Sequence, residues 1–403
     1  MEPVSTLDVR TGAGARRTTR WAGVGRSIDT HPWAAGMGAA DQALDGRSAE
    51  LIVVFSCDRT ASEELLAGVA EAAGAAHVIG CSVPSDIGPD GPGENGVLVL
   101  AIGGSGFRVR TAAASSESGP RAAGEFVARR MLGGRPVGES ELAMLLTASQ
   151  AGDQNEIVRG AYGVLGGAVP LVGGCTGKTT AEAPSCQFHG TELFVDAVVG
   201  ASLVSDGPVR IGVRHGLTRM GERMVVTRSV GGRVLGLDGK PALDTYLELL
   251  DAPAQAASDP EVFTEFALAH PLGLSRSSGP DQARCISAAG FDDRSLLCVA
   301  EVPQGSLAWF LHESVDTTIA AAEEACAEAV RGLGGAEPCA ILVFDCIGRR
   351  KLLGEGGARE EVKALNAAAG GAPLAGFYTH GEIARTRGVR GFHNKTVVVL
   401  ALG

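Results

Sequence analysis

The sequence has few aromatic side chains and no excess of positive charge. Phe, Trp and Tyr make up 4% of the 403 residues, and 46 acidic against 35 basic side chains leave a formal net charge of -11. Proteins that bind nucleic acids use aromatic platforms for the bases and clustered cations for the phosphates. These shortages argue against a nucleic-acid partner, so small molecules and other proteins are the candidate partners.

The sequence also lacks a run of about 18 apolar residues, which a membrane-spanning helix would need, and it contains no Cys-x-x-Cys pair. The second absence removes the usual sign of a metal knuckle or a redox pair. Nine cysteines, an odd number, are scattered along the chain, as is typical of proteins in a reducing compartment. We therefore expect a cytoplasmic protein with no membrane span, metal or cofactor.

The first 21 residues contain four arginines, at positions 10, 16, 17 and 20. No apolar segment follows Trp21, as it would in an export signal. We expect residues 1–21 to form a disordered basic tail.

A strand, helix, strand pattern occurs three times. In each copy a short apolar run precedes a segment with helical spacing and a second apolar run. The copies cover residues 51–82, 142–177 and 340–382, and further extended runs follow at 95–102, 193–204 and 395–402. This pattern predicts an α/β fold with mixed sheets. Because the chain exceeds the size of one ordinary core, we predict two domains built from these units.

The segment between the second and third copies has a different pattern. Residues 221–250 predict two strands joined at a Gly-Gly turn, then a helix that starts near Pro241. Residues 251–282 predict a helix with irregular loops, and residues 317–333 predict an amphipathic helix. We predict that a new domain begins at residue 221.

Polar side chains are concentrated near the end of the chain, between two strand-like runs. The cluster comprises Tyr378, Thr379, His380, Glu382, His393 and Asn394. Binding groups tend to lie on loops, so this cluster is a site candidate. His380 and Glu382 are two apart and would point to the same side of an extended segment. They form a surface pair, contact a ligand or act as an acid–base pair. His393 and Asn394 either cap a turn or contact the ligand.

Two strand ends share a motif in which a cysteine precedes an arginine, VFSCDR with Arg59 and VFDCIGR with Arg349. Ligands in open α/β sheets bind beyond such ends, and the two arginines could hold a carboxylate or be solvated. Cys81, Cys175 and Cys346 also lie at strand ends. They are packing residues, pocket lining or, together with a histidine, part of a metal or nucleophilic site.

These motifs resemble the FIST domains of prokaryotic sensory proteins. GFYTHGEI followed by HNKT, and FDCIGRR, resemble the C-terminal FIST domain. AGVGRSIDTHPWAAGMGAADQAL, FSCDR and VIGCSVPSDIG resemble the N-terminal one. The resemblance implies an N-terminal domain over 22–220, a C-terminal domain over 221–403 and no attached output module. In this chain His380 stands where the family more often has tyrosine, and Asp345 stands where asparagine is usual.

The resemblance implies a sensory protein that binds an amino acid or another carboxylate metabolite and signals through a separate protein. The candidate ligand-binding residues are Arg59, Cys81, Cys346, Arg349, Tyr378, His380, Glu382, His393 and Asn394. A cofactor-independent enzyme that uses a cysteine nucleophile or the His380–Glu382 pair is the alternative, and a protein-binding scaffold is a third hypothesis.

Overall fold

The computed structural model describes residues 19–57, 61–134, 141–177, 185–275, 282–385 and 391–403. The predicted α/β class is confirmed, and three topologically equivalent units make up most of the chain. Residues 1–18 of the predicted basic tail lie outside the described residues, and the first strand begins at Trp21.

The first two units have the same order of elements. Unit 1 contains β1 (Trp21–Ser27), α1 (Pro32–Leu44), β2 (Leu51–Cys57), α2 (Glu63–Ala73), β3 (His77–Val83), β4 (Asp86–Gly88), β5 (Gly91–Gly93) and β6 (Val97–Gly103). Unit 2 contains β7 (Phe107–Ser115), α3 (Pro120–Leu132), β8 (Glu141–Ala148), α4 (Gln154–Leu165), β9 (Leu171–Thr176), β10 (Cys186–His189), β11 (Glu192–Val195) and β12 (Ala197–Ser205).

Unit 3 begins with β13 (Val209–Arg214) and is then interrupted by an inserted domain. The inserted domain contains β14 (Thr218–Val230), β15 (Arg233–Leu237), β16 (Lys240–Pro241), α5 (Ala242–Leu249), α6 (Pro260–Leu268), β17 (Leu272–Leu274), β18 (Gln282–Arg284), β19 (Ile286–Gly290), β20 (Ser295–Cys298) and β21 (Leu307–His312). Unit 3 resumes with α7 (Val315–Gly332), β22 (Ala340–Cys346), α8 (Ile347–Ala368), β23 (Leu374–Thr379), β24 (Gly381–Arg385), β25 (Phe392–His393) and β26 (Val397–Leu402).

The predicted strand, helix, strand units are confirmed, and their strands are apolar on both faces. Every residue of β2, β8 and β22 is buried, as expected of strands covered on both sides. Each pairs in parallel with the strand that follows its helix. The Ser62 hydroxyl accepts from the Leu65 amide at 3.2 Å and caps α2, because a hydroxyl satisfies an amide that has no partner in the first turn.

Three predicted boundaries were wrong for local backbone reasons. The extended run at 193–204 divides into two strands at Asp196, whose φ of 53° is left-handed. The helix predicted over 358–370 begins at Ile347 and passes a non-helical Gly354. The last run of the third copy also divides, because β23 ends at Thr379 and β24 pairs in another sheet.

The three units form three six-stranded sheets that exchange hairpins. The strand orders are β1-β6-β2-β3-β10-β11, β7-β12-β8-β9-β24-β25 and β13-β26-β22-β23-β4-β5. In each unit the hairpin after the second parallel strand leaves its own sheet and completes the sheet of another unit. Unit 2 completes the sheet of unit 1, unit 3 that of unit 2, and unit 1 that of unit 3.

One apolar core joins the three sheets. It contains side chains from all three units, and the Phe377 ring lies 5.2 Å from that of Phe55 and 5.8 Å from that of Phe344 between centroids. The predicted domain boundary after residue 220 falls within β14. Strands from both sides of that boundary pair in the sheet of unit 3, where β4 lies beside β23. The division into 22–220 and 221–403 stays a prediction about folding units.

The inserted domain has its own sheet and a separate core. The buried Tyr246 ring contacts Phe263 and Phe310 at centroid distances of 5.7 and 5.1 Å. The two connections to unit 3 lie side by side, because Thr218 at the start of β14 pairs with His312 at the end of β21. No helix in the described part of the chain is long and apolar enough to cross a membrane.

Replacement of Phe377 by alanine tests whether the shared core holds the three units together. Phe377→Ala removes a fully buried ring between two sheets and should destabilise the fold by about 3–5 kcal/mol. Urea unfolding followed by circular dichroism measures the loss. Phe126→Ala, which removes a ring that is 46% exposed on α3, is the control and should change stability little.

Candidate functional site

A cavity of about 470 Å³ lies between unit 2 and the inserted domain. Its walls are the start of α4 with the turn before it, the end of β9, the β14–β15 turn and the chain after β20. The lining residues are Ser149, Gly152, Asp153, Gln154, Asn155, Arg159, Cys175, Gly231, Gly232, Cys298, Val299, Ala300, Glu301, His380 and Phe392. This volume is in the usual range for small-molecule sites, roughly 300–1,000 Å³.

The first turn of α4 is fixed by its own side chains. Asp153 is the N-cap and its carboxylate accepts from the Asn155 amide at 2.8 Å. Gln154 accepts from the Thr147 hydroxyl at 2.7 Å and donates to the Ala148 carbonyl at 2.8 Å. These bonds hold the helix against the end of β8, so this wall of the cavity has a defined position.

The cavity carries charges of both signs. Arg159 on α4 pairs with Glu156 in its own helix, and its Nη2 lies 3.7 Å from Oε2 of Glu301 in the inserted domain. Asp153 adds a second carboxylate on the α4 side. A molecule in the cavity can therefore meet a cation and an anion at the same time.

His380 reaches the cavity of unit 2 although it belongs to unit 3. It lies in the turn between β23 and β24, and its amide donates to the Cys175 carbonyl at 2.7 Å. The ring packs on Gly177, where a Cβ would lie 2.5 Å from the ring Cγ. Burial lowers the pKa of His380 to about 4, so the ring is neutral at pH 7. Among the described residues, Nδ1 has no hydrogen-bond partner.

The rest of the wall is uncharged. Burial raises the pKa of the Cys175 and Cys298 thiols to about 12, so both stay protonated at neutral pH. Val299, Ala300 and the buried Phe392 add apolar surface. The cavity therefore has an apolar portion beside its charged one.

Glu382 does not share the cavity with His380. It is fully buried, and its Oε1 accepts from the Thr379 hydroxyl at 2.6 Å. Its Oε2 accepts from the Thr396 hydroxyl at 2.6 Å and the Thr396 amide at 3.1 Å. Strand alternation does not relate the two side chains, because His380 lies in a turn rather than in an extended strand. Burial raises the pKa of Glu382 to about 7, against the lowering effect of these hydrogen bonds.

Arg349 holds carboxylates of the protein itself. It is fully buried, donates to Asp345 at 2.6 Å and to Glu361 at 2.6 Å, and also donates to the carbonyls of His215 and Thr318. Burial and the neighbouring Asp345 raise the pKa of Glu361 well above its usual value. Tyr378 is buried near these groups, and burial raises the pKa of its hydroxyl.

The other predicted site residues are spread through the interior. Cys81 packs in the core that the three sheets share, and burial raises the pKa of Cys346 well above its usual value. His393 Nε2 lies 2.9 Å from the Ala384 carbonyl, and Asn394 is buried. Arg59 lies outside the described residues. Of the nine candidates, His380 lines this cavity, and ligand contact by the others stays a prediction.

The sequence reasoning missed the α4 side of the cavity and the contribution of the inserted domain. The segment DQNEIVRG begins shortly after the predicted strand 142–148, and a position beyond a strand end is also the signal that indicates Arg59 and Arg349. The wall formed by Gly231 and residues 298–301 has no comparable signal in the sequence. These residues line the cavity because the inserted domain packs against unit 2, and local sequence patterns do not record that long-range contact. Among the described residues, no three His, Cys, Asp or Glu side chains meet as a metal site would need.

The chain belongs to the FIST family. It matches the FIST N domain over residues 50–240 and the FIST C domain over residues 242–385. FIST domains are sensory domains that bind small ligands. The two matches meet within the inserted domain, at Pro241, the last residue of β16.

Comparison with solved structures finds limited similarity. A cyanuric acid hydrolase from A. caulinodans is 12% identical, with a TM-score of 0.27 over 48% of this chain and 72% of that one. The T. maritima PurL complexed with FGAR is 11% identical, with a TM-score of 0.23 over 96% of this chain and 72% of that one. Among curated proteins, none matches.

Replacement of Glu382 by glutamine tests the protonation of this buried carboxyl. The folded pKa of about 7 exceeds the ordinary 4.5, so the folded protein holds a proton that the unfolded chain releases between these values. Stability should therefore fall as pH rises from 4.5 through 7, with this group contributing on the order of 2–3 kcal/mol. Glu382→Gln should remove that contribution. A glutamine is accommodated at the equivalent hairpin position of unit 2, where Gln187 donates to the Thr176 hydroxyl at 3.2 Å, so the variant can form the same kind of hydrogen bond.

Thermal unfolding from pH 4.5 to 8 measures the effect as the difference between variant and wild type. Glu71→Gln, on the exposed side of α2, should keep the wild-type slope. Parallel curves for Glu382→Gln and wild type would show that the carboxyl is ionised throughout.

Replacement of Arg349 by methionine distinguishes an internal clamp from a ligand clamp. Arg349→Met leaves the buried Asp345 and Glu361 without their cation, which typically costs about 3–5 kcal/mol. Urea unfolding measures the loss. A variant of wild-type stability that no longer binds small molecules would assign Arg349 to a ligand instead.

Proposed function

We propose that the protein is a sensor that binds a small carboxylate-bearing metabolite, with an amino acid as the favoured class, in the cavity between α4 and the inserted domain. The observation that carries the proposal is the presence of one cation, Arg159, and two carboxylates, Asp153 and Glu301, around one cavity of about 470 Å³. A zwitterion carries a carboxylate that complements the arginine and an ammonium group that complements the acidic side chains.

The orientation follows from these charges. The metabolite's carboxylate would accept from Arg159, since guanidinium–carboxylate bonds are among the stronger hydrogen bonds in proteins. Its ammonium group would lie near Asp153, and its side chain would lie on Val299, Ala300 and Phe392. His380 is neutral, and its Nδ1 has no partner in the part of the chain that the structure describes, so the ring would supply one uncharged hydrogen bond.

The chemistry of the site favours binding over catalysis. A cysteine nucleophile acts as a thiolate, whereas burial raises the thiol pKa of both Cys175 and Cys346. His380 and Glu382 lie in different surroundings, so they do not form the acid–base pair of the enzyme hypothesis. We place the protein in the cytoplasm and assign the output to a separate signalling protein, as proposals that follow from the sensory role of the family.

A thermal-shift screen tests the proposal. The panel contains the twenty proteinogenic amino acids with matched amines and carboxylic acids that lack one of the two charges. Binding to the folded state raises the melting temperature, because a ligand at 100 times its Kd adds about 2.7 kcal/mol. Amino acids should shift the wild type more than the corresponding amines or acids.

Arg159→Gln should weaken binding by about 10- to 100-fold, the range for the loss of a charge-assisted hydrogen bond. Arg129→Gln removes a surface arginine that pairs with Glu125 on α3, away from the cavity lining, and should bind as wild type does. A panel without any shift would reject the sensor, and an undiminished shift in Arg159→Gln would place binding elsewhere.

A further inference from the structure

An ion pair crosses the cavity and joins its two walls. Arg159 belongs to α4 of unit 2 and Glu301 to the inserted domain, and both line the cavity. Their Nη2 and Oε2 atoms are 3.7 Å apart, with the side chains 42% and 40% exposed. The pair therefore occupies space that a ligand carboxylate would need if it bound Arg159.

The Arg159 side chain is positioned from within its own helix. Its Nη1 donates to Glu156 one turn earlier, and Arg121 on α3 lies 3.6 Å from the other oxygen of Glu156. This arrangement directs Nη2 across the cavity. Arg159 can thus exchange one carboxylate partner for another without a change in the helix.

The Glu301 backbone is fixed to the inserted domain. The Glu301 carbonyl accepts from Nε of the buried Arg284 at 2.9 Å. The flanking residues are held too, because the Val299 amide donates to the Cys285 carbonyl and the Val302 amide to the Gly231 carbonyl, each at 2.9 Å. The Glu301 carboxylate therefore follows the position of this part of the inserted domain.

We infer that Glu301 competes with the carboxylate of the ligand for Arg159, and that binding transfers Arg159 from Glu301 to the ligand and frees this edge of the inserted domain from α4. This inference rests on the proposed function, because it names how occupancy of that site is regulated and read out. The ligand that favours transfer is one whose carboxylate reaches Arg159 more closely than the 3.7 Å of Glu301.

Other contacts keep the inserted domain attached when this pair opens. Gln282 donates to the Phe392 carbonyl at 3.0 Å. At the exit from the domain, Glu313 and Lys395 form a fully buried pair at 2.7 Å. Neither contact involves α4. Loss of the Arg159–Glu301 pair therefore releases one edge of the inserted domain from α4, while the contacts of Gln282 and Glu313 with unit 3 remain.

Hydrogen exchange of the full-length protein tests the inference first without ligand. Glu301→Gln should speed exchange of the amides at 299–302 by about two- to fivefold, the effect of losing one exposed ion pair. Glu125→Gln removes the acidic partner of Arg129, which lies on α3 outside the cavity lining, and should leave these amides unchanged. Equal exchange in Glu301→Gln and wild type would overturn the inference whether or not a metabolite binds.

The second measurement adds an equimolar mixture of the twenty proteinogenic amino acids. In the wild type the mixture should slow exchange at 155–159 and speed exchange at 299–302, while in Glu301→Gln it should only slow exchange at 155–159. Slower exchange at both segments of the wild type would mean that binding does not displace Glu301, so the competitor role would fail while the sensor stands. No change at either segment with the mixture would count against the proposed function, and the ligand-free comparison would still decide the role of the ion pair.

Discussion

The exchange of hairpins between units is the constraint on which the rest of the structure depends. Each of the three six-stranded sheets is complete only when another unit supplies its last two strands. Because a strand needs a partner for its backbone amides and carbonyls, no unit can satisfy its own sheet. The exchange also carries His380 and Phe392 of unit 3 to the cavity of unit 2, since β24 pairs with β9. The candidate site is thus a product of the topology.

The same exchange places a polar side chain inside each sheet. Asp86, Gln187 and Glu382 occupy equivalent positions on the three exchanged hairpins, and each is fully buried. A buried polar group needs a partner, and each unit provides a different one. Asp86 pairs with Arg26, Gln187 bonds Thr176, and Glu382 bonds two threonines. Equivalent positions with different side chains and partners make the three units chemically unequal, although their topology is the same.

Local patterns in the sequence predict most of the helices and strands, but they do not predict which strands pair when the partners are distant in the sequence. The buried runs at 51–55, 142–148 and 340–344 and the helices between them follow from apolar spacing. The exchange of hairpins could not be predicted, because a two- or three-residue strand such as Gly91–Gly93 is too short to show a pattern that indicates which strand it pairs with. Arg349 is a predicted ligand-binding residue because its motif follows a strand. Its partners within the protein are Asp345 and Glu361, and Glu361 lies twelve residues further along the chain, on a helix whose start the sequence pattern does not predict.

The inserted domain enters and leaves the three-unit core at a single place. Thr218 and His312 are directly paired, so their Cα atoms are separated by about 5 Å, and β13 and α7 lie outside the insertion. The core can therefore gain, lose or exchange this domain through a bridge of a few residues, without a break in any of its three sheets. Since one wall of the cavity belongs to the insertion, ligand preference in such a fold can evolve separately from the scaffold that holds it.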